Sequence, residues 1–159
     1  MTDQIDVSAV PALMHGRTFQ ENVVGSTFRT AGRTITEADV VAFVTLAGLN
    51  EPLFMDENGA KAAGYKGRLV PGTLTFTYAE GLVMQSGVIH GTGMAFLGST
   101  MDVKAPVFVG DTITVVVEVL ESRPTSKGDR GIVTTRNTVV KGDGTVVLVY
   151  EPKRMVLGG

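Results

Sequence analysis

Apolar residues recur in two rhythms along this chain, and the rhythm changes near residue 90. Before that point the spacing is helical. In EADVVAFVTLA, residues Val40, Phe43, Val44 and Ala47 fall on one stripe. Thr36 with Asp39 three residues later forms a capping-box pattern at its start, and Gly48 suits the residue just past its end. Asp56 can cap a second short helix that runs through Ala63 and stops at Gly64. A third helix is predicted from Gly72 to about Gln85. It carries Leu74, Phe76, Tyr78, Leu82, Val83 and Met84 nearly all round, which predicts a central, buried helix.

After residue 90 the chain is rich in Val, Thr and Ile. Strands are predicted over Met94–Val103, Asp111–Glu121, Ile132–Val140 and Thr145–Val156. They are separated by Pro106 and Gly110, by the polar loop SRPTSKGDRG, and by a Gly142-Asp143-Gly144 hairpin turn. Phe28 to Arg33 reads as one further strand ahead of the helices. The order is strand, helices, then four antiparallel strands, which makes the fold class α+β with a sheet wrapped around one helix. Residues 1–22 read as an N-terminal arm and 23–159 as a single domain.

Composition narrows the function classes. The 159 residues suffice for one domain with a real core, and a net charge of −2 without a basic tract argues against nucleic acid as a partner. The absence of cysteine excludes disulfides, thiolate metal sites and cysteine nucleophiles. The only two histidines, His15 and His90, lie far from any carboxylate cluster, so no metal site is expected. The N-terminus lacks a signal-like apolar run, and no segment suits a membrane span. A cytoplasmic protein that neither crosses nor binds a membrane is the expectation.

Candidate chemistry concentrates between Ala47 and Glu80. A tight Asn-Glu-Pro loop is followed by a helix opening on Pro71-Gly72, and a helix N-terminus beside a loop can bind and polarise a carbonyl. Leu49 and Phe54 stand in that loop where an acid and an imidazole would be useful. Glu80 lies deep inside the apolar helix, where a carboxylate is costly unless paired or functional.

Four segments carry a family resemblance: GSTFRTAGRTITEADVVAFVTLAG, NEPLFMDENGAKAAGYKGRLVPG, GSTMDVKAPVFVGDTITVVVEV and NTVVKGDGTVVLVYE. From about Gly25 onward the chain resembles the MaoC-like (R)-specific enoyl-CoA hydratases and dehydratases. The resemblance implies a hot-dog fold, in which a curled antiparallel sheet wraps a central helix. It also implies a homodimer and an acyl-CoA thioester, as substrate or ligand, beside that helix; no cofactor is implied. Relatives commonly carry G-D-x-N-P-x-H-x-D in the loop. Gly48, Pro52 and Asp56 match that motif, whereas Leu49, Glu51 and Phe54 replace its first aspartate, asparagine and histidine. The replaced Asp and His would move protons between water and an α,β-double bond, and neither Leu nor Phe titrates. The resemblance therefore implies a lyase family while leaving the chain's own activity divergent or lost.

What survives of the family's site is the main-chain N–H of Gly72, which the resemblance makes the oxyanion donor. Val70, Pro71 and Thr73 flank it, and Leu49 and Phe54 would enlarge an apolar acyl pocket. Glu80 and Glu51 are the candidate replacement acids. The stretch PGTLTFTYAEG also resembles the central helix of hot-dog acyl-CoA thioesterases, with Gly72 and Glu80 matching their glycine and helical acid while Pro71 and Thr73 depart. Three functions follow: a hydratase with relocated groups, a thioesterase using Glu80, and a non-catalytic acyl-CoA-binding or partner subunit. Tyr78 facing the pocket, His90 near a neighbouring subunit, and Lys61, Lys66, Arg68 and Lys104 as phosphate contacts are lesser candidates.

Overall fold

The computed structural model describes residues 6–159; of the N-terminal arm, residues 1–5 lie outside the described part. Its elements are β1 (Thr27–Arg29), β2 (Arg33–Thr34), α1 (Glu37–Ala47), α2 (Pro52–Met55), α3 (Glu57–Ala62), α4 (Gly72–Gln85), β3 (Gly93–Val103), β4 (Thr112–Pro124), β5 (Arg130–Lys141) and β6 (Val146–Leu157). One antiparallel six-stranded sheet runs in the order β1-β4-β5-β6-β3, with β2 also on β4. It is the α+β hot-dog architecture, with α4 against the sheet's inner face.

The sheet's inner face follows from alternation, broken at the start of β6, where the neighbours Val147 and Leu148 are both buried beside a register shift. Ile113, Val115 and Val117 of β4, Val139 of β5, and Val147, Leu148 and Tyr150 of β6 are buried against Leu74, Ala79, Leu82 and Val83 of α4. Each of the buried Val, Leu and Ile side chains stabilises the fold by roughly 1.5–3 kcal/mol. The buried face of α4 is one-sided in the single chain: Thr73, Thr77 and Met84 remain exposed. Residues 16–22 run against the sheet rather than away from it. Arg17 N–H donates to Val88 O at 2.8 Å and Phe19 N–H to Leu157 O at 2.9 Å, while the Phe19 ring packs with Val119, Val133 and Val156.

Two local expectations change. The single strand expected over Phe28–Arg33 is split into β1 and β2, because the chain steps off the ladder at Ala31-Gly32. Thr30 keeps it attached there, its N–H donating to Val115 O at 2.9 Å and its Oγ1 accepting from Val115 N–H at 3.1 Å. The Asn-Glu-Pro loop also contains a helical turn, α2, with Pro52 at its first position, where a missing N–H costs nothing. Gly59 lets α3 fold back on α2, since a Cβ there would sit 2.5 Å from Pro52 O.

The caps of α1 form as the sequence predicts. Thr36 Oγ1 accepts from Asp39 N–H at 3.3 Å, Asp39 Oδ2 accepts from Thr36 N–H at 2.8 Å, and Gly48 takes φ 70°. Asp39 has a second task. Its Oδ1 accepts the Tyr78 hydroxyl at 2.6 Å and pairs with Arg33 at 3.2 Å, tying α1 to α4. The Tyr78 bond, then the bond from Thr36 N–H, hold the Asp39 carboxyl down to about 2. Burial, then the Asp39 bond, push the Tyr78 hydroxyl up.

Candidate active site

The connection from α3 brings Val70 onto a short antiparallel contact with the segment before β4: Leu69 pairs with Phe108, and Val70 N–H donates to Val107 O at 2.9 Å. That contact fixes where α4 starts. Pro71 is buried and extended, and it offers no side chain to cap the helix. The N–H groups of Gly72 and Thr73 therefore have no partner within the helix. Gly72 borders a cleft of about 270 Å³ whose walls include Tyr65, Val70, Thr75, Val103, Lys104 and Ala105. The glycine lets the backbone approach the wall, since a Cβ there would already be 3.3 Å from Val103 Cγ2. The result is a largely apolar cleft with main-chain donors and a helix dipole at one edge, which suits a carbonyl oxygen that gains negative charge.

The loop beside it is fixed by cations rather than by catalytic groups. Arg68 Nε donates to Phe54 O at 2.8 Å, and the same guanidinium pairs with Glu37. Leu49 and Phe54 are half-buried against the main core and are not among the cleft's lining residues. Glu51 is exposed ahead of α2 and caps nothing with its side chain. Asp56 accepts from Gly59 N–H at 2.6 Å, the capping role its position predicts. Thr73 points outward, exposed. Of the candidate substrate-binding set, the cleft thus gathers Val70, beside the oxyanion candidate Gly72, with Pro71 buried behind them.

Glu80 sits two turns further on, about 12 Å along the helix axis. It borders a second cleft, of about 440 Å³, together with Met84, His90, Met94, Phe96 and Arg154. Both Glu80 carboxylate oxygens accept from Arg154 Nη2, at 2.6 and 2.7 Å. Glu80 thus pairs within its own chain. The Arg154 side chain is 7% exposed and its Nε is buried without a partner. Beneath the pair lie the Tyr150 hydroxyl and Asn137 Nδ2, both buried and also unpartnered. Burial, then the nearby Glu80 charge, push the Tyr150 hydroxyl far above its ordinary value. Phe76 and Glu80, one turn apart on α4, meet β6 at Tyr150 (ring centroids 5.0 Å apart) and at Arg154 respectively.

Sequence reasoning missed Arg154, Tyr150, Tyr65 and Val103. Arg154 was reachable: in YEPKRMV the period of two puts residues 150, 152, 154 and 156 on the same, inward face. The other cations are engaged locally. Lys61 pairs with Glu57 at 3.3 Å, Lys104 pairs with Asp102, and Lys66 lies over the Phe108 ring at 4.8 Å. The hydroxyl of Tyr78 is spent on Asp39 rather than on either cleft.

Comparison with known proteins places this geometry. Residues 19–141 match the model of the MaoC like domain, and the chain belongs to that family. An (R)-specific enoyl-CoA hydratase of Aeromonas caviae is 32% identical over 114 residues, 72% of this chain and 81% of that protein. The corresponding enzyme of Rhodospirillum rubrum is 26% identical over 149 residues, covering 89% of this chain and 97% of its own. Among solved structures, a MaoC-like dehydratase from Rhodospirillum rubrum superposes with a TM-score of 0.83 at 26% identity, over 91% of this chain and 99% of that one. The Aeromonas caviae (R)-hydratase superposes with a TM-score of 0.69 at 28% identity, over 87% of this chain and 99% of its own. Among the described residues no helix is long and apolar enough to cross a membrane.

Proposed function

We propose that this protein binds an acyl thioester, acyl-CoA first among them, with its carbonyl oxygen at the Gly72 N–H and its acyl chain among Val70, Thr75 and Val103. The observation that carries this reading is the uncapped start of α4 opening on an apolar cleft. A thioester carbonyl polarised there becomes an electron sink, so the double bond conjugated to it can accept water, or a 3-hydroxyacyl group can lose it. The Aeromonas caviae and Rhodospirillum rubrum relatives are enoyl-CoA hydratases, which makes an enoyl-CoA the first substrate to try.

The reading includes a homodimer joined at β3. That strand is a sheet edge of eleven residues, and Phe96, Leu97, Met101 and Val103 on it are 46–54% exposed. A long apolar edge of this kind is a template for pairing, and an antiparallel edge is complementary to itself. The test is titration of purified protein with crotonyl-CoA, following heat of binding, loss of the double bond and release of thiol. Saturable binding with loss of the double bond and no thiol release is the expected result. Thiol release that Glu80→Gln abolishes would favour hydrolysis instead, and binding without any turnover would favour a binding subunit. Absence of binding would overturn the reading.

A further inference from the structure

The cleft at Gly72 has main-chain donors for a carbonyl but neither a carboxylate nor an imidazole; its titratable side chains are the Tyr65 phenol and the Lys104 ammonium, the latter already paired with Asp102. The cleft at Glu80 has a carboxylate and an imidazole, His90, within largely apolar walls, and no helix N-terminus. Each lacks what the other holds. Within one chain they are separated by about 12 Å of helix, whereas the carbon that water attacks is two bonds from the thioester carbonyl.

Edge pairing removes that separation. Gly93, Met94 and Phe96 border the Glu80 cleft, and Val103 borders the Gly72 cleft, so the clefts lie at opposite ends of β3. The midpoint of Gly93–Val103 is Gly98. If two copies pair antiparallel over the full strand about that midpoint, Gly93 of one lies opposite Val103 of the other, at a strand spacing of about 4.8 Å. The two-fold axis thus brings each Gly72 cleft against the partner's Glu80 cleft, twice over.

We propose that Glu80 and His90 of one subunit carry out the proton transfers on a thioester held at Gly72 of the other, an inference that rests on the thioester reading above. The partner's Glu80 gives only one lone pair on each oxygen to Arg154, so lone pairs remain to accept a hydrogen bond from water. The partner's His90 takes that water's second proton while the oxygen bonds to C3. The π pair of the double bond shifts toward C2 and the thioester carbonyl, whose oxygen is held by Gly72 N–H. The imidazolium then returns the proton to C2. One water is added across one double bond, with no oxidant, reductant or metal required, and the reverse sequence is dehydration.

Mixed dimers test the assignment. Gly72→Pro deletes the donor at a helix position that tolerates proline, after a Pro71 whose ψ of 136° already suits a following proline. His90→Gln removes the imidazole from an exposed position, and Glu80→Gln serves as the second acid/base variant. Each homodimer variant is expected to lose about 10²–10³-fold in crotonyl-CoA hydration. Gly72→Pro and His90→Gln subunits, co-refolded in equal amounts, are expected to recover about a quarter of wild-type turnover, because half the dimers then hold one intact site. No recovery between folded subunits that exchange overturns the shared site, as does a monomeric protein. Binding of crotonyl-CoA by wild type without loss of the double bond overturns the proton-transfer roles while leaving the thioester reading intact. Failure to bind at all overturns the reading itself.

Discussion

The two ends of α4 solve opposite problems. At Gly72 the helix leaves backbone donors uncapped beside largely apolar walls, with Tyr65 and Lys104 the titratable side chains that line the cleft. At Glu80 the helix carries its charge on a side chain, and the sheet answers with a nearly buried Arg154. A backbone donor cannot be lost to a side-chain substitution other than proline, whereas a buried ion pair fails when either partner goes. In this chain the loop holds Leu49 and Phe54, neither of which can titrate, while the main-chain donors of Gly72 remain uncapped.

The largest expected effect is at the charged end. Arg154→Met leaves Glu80 half-buried and unpaired, and should cost about 3–5 kcal/mol in urea unfolding. Arg154→Met combined with Glu80→Leu should recover most of that loss, since a well-packed apolar pair is often neutral. If the single variant were as stable as wild type, the pair would not hold α4 to β6. At the other end, Gly72→Pro should lower kcat by the equivalent of about 2.7–4 kcal/mol with far less change in KM, the pattern of a donor acting on the transition state. Gly72→Ala keeps the N–H and meets Val103 Cγ2 at 3.3 Å, so a small loss there would separate crowding from donation.

A third perturbation acts between the ends. Asp39→Ala removes the acceptor for Thr36 N–H in the α1 capping box and the acceptor for the Tyr78 hydroxyl, and should destabilise the fold by about 2 kcal/mol. In wild type the Asp39 carboxyl falls from 3.8 to about 2 on folding, chiefly through the Tyr78 bond. Its stabilising contribution is therefore complete above pH 3.8 and is lost as pH falls through about 2. Thermal melts at pH 5 and pH 2.5 should differ less for Asp39→Ala than for wild type. The smallest effect expected is a gain: Leu49→Asp with Phe54→His, in a folded protein that binds crotonyl-CoA, should raise hydration by about tenfold or more. No gain would mean that the loop is not aimed at the Gly72 carbonyl site.

Local signals in this chain were legible one residue at a time. Thr36, Asp39, Gly48 and Asp56 announced their caps, and the Val-rich runs announced β4 and β6 as strands. The split of the first strand at Ala31-Gly32 was not legible, because it depends on where β4 holds Thr30. The partner of Glu80 was half-legible. The period of two put Arg154 on the inward face, but its distance in sequence, 74 residues from Glu80, hides the pairing from any local pattern.

The sequence by itself determined which segments are helix and strand, which family they build, and that Leu49 and Phe54 cannot move protons. These depend on side-chain chemistry and on spacing within a few residues. Only the tertiary structure decided that Glu80 meets Arg154, that His90 borders the same cleft, and that the Gly72 donors open on a different one. Such pairings are set by how the sheet curls around α4, a property of packing between segments that no short window of sequence contains.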